Sequence, residues 1–166
     1  KKLNEDCNAK EFADKLTDIY PDYDQYVSDE NGIKVTYPLK GIEVIFNKYK
    51  ITNLENQINV IFNYFNALKT AYENAHIWYN KTINPFFTNA GFVAAIDVLN
   101  RVLIAKCAVE KDFTLESFVK QLKLDATLLQ RSDIKNKDGK SQRKAIAEFL
   151  EESINQDLPT EEGYKF

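Results

Sequence analysis

Five glycines and four prolines among 166 residues leave few chain-breakers. That scarcity favours long helices over a many-turned β architecture. The glycines are scattered, so there is no GxxxxGK or GxGxxG run whose backbone amides would cradle a phosphate. The two cysteines, Cys7 and Cys107, form neither a disulfide framework nor metal-ligand spacing and point to a reduced, cytoplasmic setting. Histidine occurs once, at His76, so any Cys–His or Ser–His scheme has one base and no fixed partner. Glu73-x-x-His76 is half the ligand set of a carboxylate-bridged di-iron bundle, and no second histidine supplies the other half. No catalytic residues, metal site or cofactor are therefore expected. Methionine is missing altogether, and Lys1-Lys2-Leu3-Asn4 opens no signal-peptide pattern, so the expectation is a fragment of a longer protein.

What the chain does have is apolar and aromatic substance, at 44% and 13% of residues, in a length that buries a real core. Residues 1–156 are expected to form a single helical domain and residues 157–166 an acidic tail. The net charge of −3 is unevenly spread. Residues 101–144 carry eleven basic and six acidic side chains, and residues 145–166 carry one and six. A basic segment followed by an acidic one is compatible with a local polyanion contact in a protein that is not basic overall.

Hydrophobic periodicity and capping residues place the elements. Asn8 and Glu11 open a helix with Phe12, Leu16, Ile19 and Tyr20 on one face, which Pro21 ends. Ser28–Gly32 reads as a turn and Ile33–Tyr37 as a short strand, while Gly41–Lys50 leans towards helix. Thr52 and Glu55 form a capping box ahead of a stripe of Leu54, Ile58, Ile61, Phe62, Phe65, Leu68 and Tyr72, in a helix reaching about Ala75–Tyr79. After a break at Asn80–Phe87, a helix is expected over Ala90–Val109 and another over Leu115–Lys123, capped by Thr114. A short helix capped by Asp125 follows, and Ser141 opens a last one with Ile146, Phe149, Leu150 and Ile154 inward. The fold class is mainly α: an irregular bundle of about five to seven helices around a central apolar helix at about 90–109. At most one short β-hairpin is expected, near 33–37.

The central stretch Phe92–Val109 is long and apolar, but Asp97, Asn100, Arg101 and Lys106 interrupt it. Each such group costs a few kcal/mol at mid-membrane, so a buried helix is expected and not a membrane span. Asp97 and Arg101, four apart with Asn100 beside them, form a polar stripe. It reads either as a functional stripe facing a cleft or as a surface ion pair with an amide neighbour.

Val119–Ile134 has the outline of a helix-turn-helix, with Asp125 capping a second helix that carries Ala126, Thr127, Gln130 and Arg131. Arg131, Lys135, Lys137, Lys140, Arg143 and Lys144 follow in one run, against Asp133 and Asp138. Thr127 and Gln130 are thus candidates for base contact, and the six cations for phosphate contact with duplex DNA. An ordinary αα-hairpin beside a solvated loop is the alternative reading. The partner is then the rest of a longer chain or another protein.

Three stretches in order, Leu39–Lys50, Val60–Asn80 and Ile83–Leu103, resemble the C-terminal part of DGQHR-domain proteins, which include regulators associated with DNA phosphorothioation. The features carrying the resemblance are Tyr64-Phe65-Asn66-Ala67-Leu68, then Trp78, then Asn89-Ala90-Gly91-Phe92 opening an apolar helix. It extends over roughly Leu39 to Ile154. The Asp-Gly-Gln-His-Arg motif itself is absent, and Asp138–Arg143 differs from it in lacking histidine. The resemblance implies a bacterial, DNA-modification or phage-defence setting and a non-catalytic helical part with regulatory DNA binding. It assigns no functional residue a number in this sequence.

Overall fold

The computed structural model describes residues 27–29, 33–35, 44–124 and 128–166. The helix expected over Asn8–Tyr20 lies outside them. Among these residues the architecture is mainly α, with one small antiparallel hairpin. Strand β1 (Val27–Asp29) pairs with β2 (Ile33–Val35) in the register Val27 to Val35, Ser28 to Lys34 and Asp29 to Ile33. Ser28 and Asp29, expected in the turn, are thus paired strand residues.

Residues 44–48 are helical, in keeping with the reading of Gly41–Lys50, and Phe46 is fully buried there. Lys50 then enters the left-handed region at φ 60. Helix α1 (Leu54–Asn74) is capped by Asn53, whose Oδ1 accepts from the Asn56 amide at 3.1 Å. The cap is one residue later than the expected Thr52, and asparagine is the stronger N-cap of the two. The helix also stops earlier than expected. His76 takes a left-handed conformation, the Ile77 amide donates to Tyr72 O, and the His76 amide donates to Glu73 O, which closes a Schellman turn.

The next stretch is ordered by a fully buried amide. Asn84 Nδ2 donates to the Trp78 carbonyl at 2.7 Å, and its Oδ1 accepts from the Phe86 amide at 2.9 Å. The 3-10 turn Pro85–Phe87 lies buried between these contacts. Thr88 then caps α2 (Asn89–Val98), accepting from the Gly91 amide at 2.9 Å and donating to the Pro85 carbonyl at 2.7 Å. A π-helical segment, Leu99–Leu103, joins α2 without a break to α3 (Ile104–Glu110). Phe92, Ile96, Leu99 and Leu103 are all buried, so this is the central helix that the apolar run implied.

Helix α4 (Leu115–Leu122) begins at the Thr114 cap, as expected, and ends where Lys123 turns left-handed at φ 54. Helix α5 (Gly139–Asn155) is capped by Asp138, whose Oδ1 accepts from the Ser141 amide at 2.8 Å. Ser141, the expected cap, instead sits inside the first turn. Helix α1 packs against α4, and α2 against α5. The ends of α4 and α5 are tied by reciprocal bonds. Lys123 Nζ donates to Ile154 O at 2.7 Å, and Ser153 Oγ donates to Leu122 O at 2.6 Å.

The described aromatic residues are mostly core. Phe65 stacks on Phe92 with centroids 5.8 Å apart, and Tyr72 meets Phe86 edge-on at 5.3 Å. Buried phenols find carbonyl partners: Tyr64 donates to Ala95 O and Tyr72 to Leu129 O. No helix among the described residues is long and apolar enough to cross a membrane.

Candidate functional site

The cationic run begins on a strap, not on a helix. Residues 128–130 are non-helical, and Gln130 is extended at φ −118 and ψ 157. Only Arg131–Asp133 coils, as a single 3-10 turn. The second helix expected from Asp125 through Arg131 is therefore absent from the described part of that segment; Asp125 and Thr127 lie outside the described residues. The physical reason is tertiary. Leu129 O accepts from the Tyr72 phenol at 2.6 Å, and the Arg131 amide donates to Ile83 O at 2.8 Å. The Arg131 guanidinium also donates to Lys81 O. Backbone groups that a helix would pair locally are given to α1 and to the loop before α2.

Past the strap, Ile134 is buried and anchors the loop into the core. The Gln130 amide donates to Asp133 Oδ2 at 2.8 Å, and Gln142 Nε2 donates to Lys137 O at 3.0 Å and Ile134 O at 3.3 Å. Asp138 closes the loop as the cap of α5. Its hydrogen bonds from the Ser141 backbone and side chain hold its carboxyl below the ordinary carboxylate range. Past Arg131, the described loop backbone is thus fixed by amides, carboxylates and one isoleucine, and the cations Lys135 to Lys144 take no part in that fixing.

The cations are left outside. Arg131, Lys135, Lys137, Lys140, Arg143 and Lys144 are all exposed. Lys144 reaches Glu148 at 3.9 Å, a long exposed pair of little energetic weight. Among the described residues, Lys135, Lys137, Lys140 and Arg143 have no carboxylate partner. Lys140, Arg143 and Lys144 are three and four apart and share a helix face. The first core residue of α5 is Ile146, so this cationic end of the helix stands clear of the core.

The polar stripe of the central helix proves to be a tie between helices. Arg101 meets Asp97 at 3.2 Å and Glu151 of α5 at 2.9 Å, with Asp97 and Arg101 each about half exposed. Asn100 is half-buried beside them. Glu151 carries no local signal of this role, because the contact exists only once α5 packs on α2. The stripe lines neither of two concavities in the fold. One, of about 920 Å³, runs between α1 and α4 over Ala67, Ala71, Ala75, Val119, Leu122 and Leu128; the other, of about 410 Å³, lies at the start of α1. Elsewhere, His76 is exposed, and no three His, Cys, Asp or Glu side chains gather among the described residues. Cys107 is buried beside Ser117, and burial pushes its thiol up, away from nucleophilic use.

No family model, curated protein or solved structure matches the chain.

Proposed function

We propose that this is a non-catalytic helical domain that contributes to DNA binding by holding phosphates at the loop before α5. The observation that carries this reading is a set of four exposed cations, Lys135, Lys137, Lys140 and Arg143, without carboxylate partners among the described residues and on a backbone fixed by other groups. On meeting DNA, such groups displace the counterions condensed on its phosphates with little reorganisation of the protein. The setting that the DGQHR resemblance implies, bacterial and concerned with DNA modification or phage defence, is one in which such a contact has a use. A gel-shift titration of the chain against duplex DNA at low salt tests the proposal. Retardation that fades as salt rises supports it, and no retardation at roughly tens of micromolar removes it.

A second reading, a protein-interaction domain without nucleic-acid contact, is favoured by the groove between α1 and α4. Its floor is alanine and leucine, and Val119 on its wall is 42% exposed. This reading takes the first place if no duplex binds.

A further inference from the structure

We infer that the loop and the start of α5 grip the DNA backbone without reading its sequence; this rests on the DNA-contact reading above and specifies what is contacted. Sequence readout in the major groove needs an element that enters the groove with several side chains at once, most often a helix. Here the described part of the segment that would supply it, residues 128–133, is a non-helical strap followed by one 3-10 turn. The strap is also committed elsewhere. The Arg131 amide is bonded to Ile83, its guanidinium to Lys81, and Leu129 to Tyr72. Withdrawing these groups to form a groove helix breaks contacts that hold the strap to α1 and to the loop ahead of α2.

What remains available is chemistry suited to phosphate. Three of the four unpaired cations are lysines, whose compact ammonium groups act as point charges. They flank the first turn of α5, whose acidic neighbour is the cap Asp138, with its carboxylate engaged by Ser141. The acids of α5 begin at Glu148 and continue through Glu151 and Glu152. Along the helix axis Glu148 lies about 12 Å beyond Lys140, eight residues at about 1.5 Å each, which is close to the Debye length at about 0.1 M salt. Moderate salt therefore screens Lys140 partly from Glu148, while Arg143 and Lys144 stand closer to that carboxylate.

Fluorescence anisotropy of the 166-residue chain with equal-length duplexes of different base order, over a salt series, tests this inference. The expected result is the same affinity for every duplex within about threefold and a linear fall of log affinity with log salt. Replacing Lys137 and Lys140 together by Ala lowers that slope by about 1.8, from about 0.9 per phosphate contact, and weakens all duplexes alike. Gln130→Ala changes neither affinity nor preference. A circular dichroism spectrum matching the parent confirms that the variants fold. A preference of about tenfold or more for one duplex overturns sequence-blind gripping while leaving DNA contact standing. An unchanged slope in the double variant places the contact elsewhere and overturns the inference. Absence of binding to any duplex, or equal uptake of poly-glutamate, overturns both the inference and the DNA reading.

Discussion

Gly91 lies directly against the Pro85 carbonyl: a Cβ at position 91 would run into Pro85 O and stand 2.7 Å from Phe86 Cα. The approach is imposed by Thr88, which bonds the Gly91 amide on one side and the Pro85 carbonyl on the other. Gly91→Ala must push apart the 3-10 turn and the start of α2, both buried. The expected cost is on the order of 3 kcal/mol, at the upper end for overpacking because the obstacle is backbone. Urea unfolding of the variant measures it, and a loss below about 1 kcal/mol would mean that the turn slides freely.

Lys111 and Lys123 both hold left-handed conformations at φ 54, which non-glycine residues occupy at a cost of about 1–2 kcal/mol. Lys111→Gly relieves this at an exposed helix end and is expected to raise stability by about 0.5–1 kcal/mol. Lys123→Gly relieves the same strain but loses the Nζ bond to Ile154 O and the 3.7 Å pair with Asp157. It is expected to be neutral or destabilising. Thermal melts of the two variants side by side test the contrast.

Leu99 is fully buried where the central helix turns π-helical. Leu99→Ala is expected to cost about 2–5 kcal/mol by leaving a cavity. Asp97→Ala removes one half-exposed partner of Arg101 and leaves Glu151 in place, so a cost below about 1 kcal/mol is expected. Denaturant titrations of both variants set the scale. An Asp97→Ala loss equal to that of Leu99→Ala would make the tie a main support of the α2–α5 contact.

Tyr64 and Tyr72 set the alkaline limit. Burial pushes both phenols well above the ordinary value, with the Asp133 carboxylate adding to the effect at Tyr72. Once unfolded they ionise near pH 10, while the folded state keeps them protonated. Their contribution is therefore complete below about pH 10 and is lost as pH rises above it. Tyr64→Phe is expected to flatten the fall in stability between about pH 8 and about pH 11. Its cost at neutral pH is expected to be near 1 kcal/mol, because Ala95 O still accepts from the Leu99 amide. Unfolding curves followed at both pH values, with phenolate absorbance as a second signal, provide the check.

The helices and their inward faces were legible because both are local properties. Thr114 caps α4 as its sequence suggests, and the Ile146, Leu150 and Ile154 spacing marks the buried side of α5. The misplaced caps are near-degenerate choices. Asn53 stands beside Thr52, and Asp138 stands three residues before Ser141 with Gly139 between them, a residue that periodicity reads as a break. The strap was illegible for a different reason. Residues 128–131 take their conformation from Tyr72, Lys81 and Ile83, about fifty residues away, and no local pattern records those partners. At the candidate site the charges were visible from the chain alone. Their freedom was not, since it depends on which groups fix the loop and on where the core residues of α5 begin.

The π segment Leu99–Leu103 gives the central helix one residue more than an α-helical path of the same span contains. Deleting a residue inside an ordinary buried helix rotates everything beyond it by about 100° and turns the apolar face outward. Deleting Asn100 or Val102 instead converts the wide turn to an α turn, while Ile96 and Ile104 on either side keep their buried aspects. The middle of this fold thus contains a slack position. Related chains that differ in length by a single residue within this helix are expected to differ there, and to share the same core on both sides of the change.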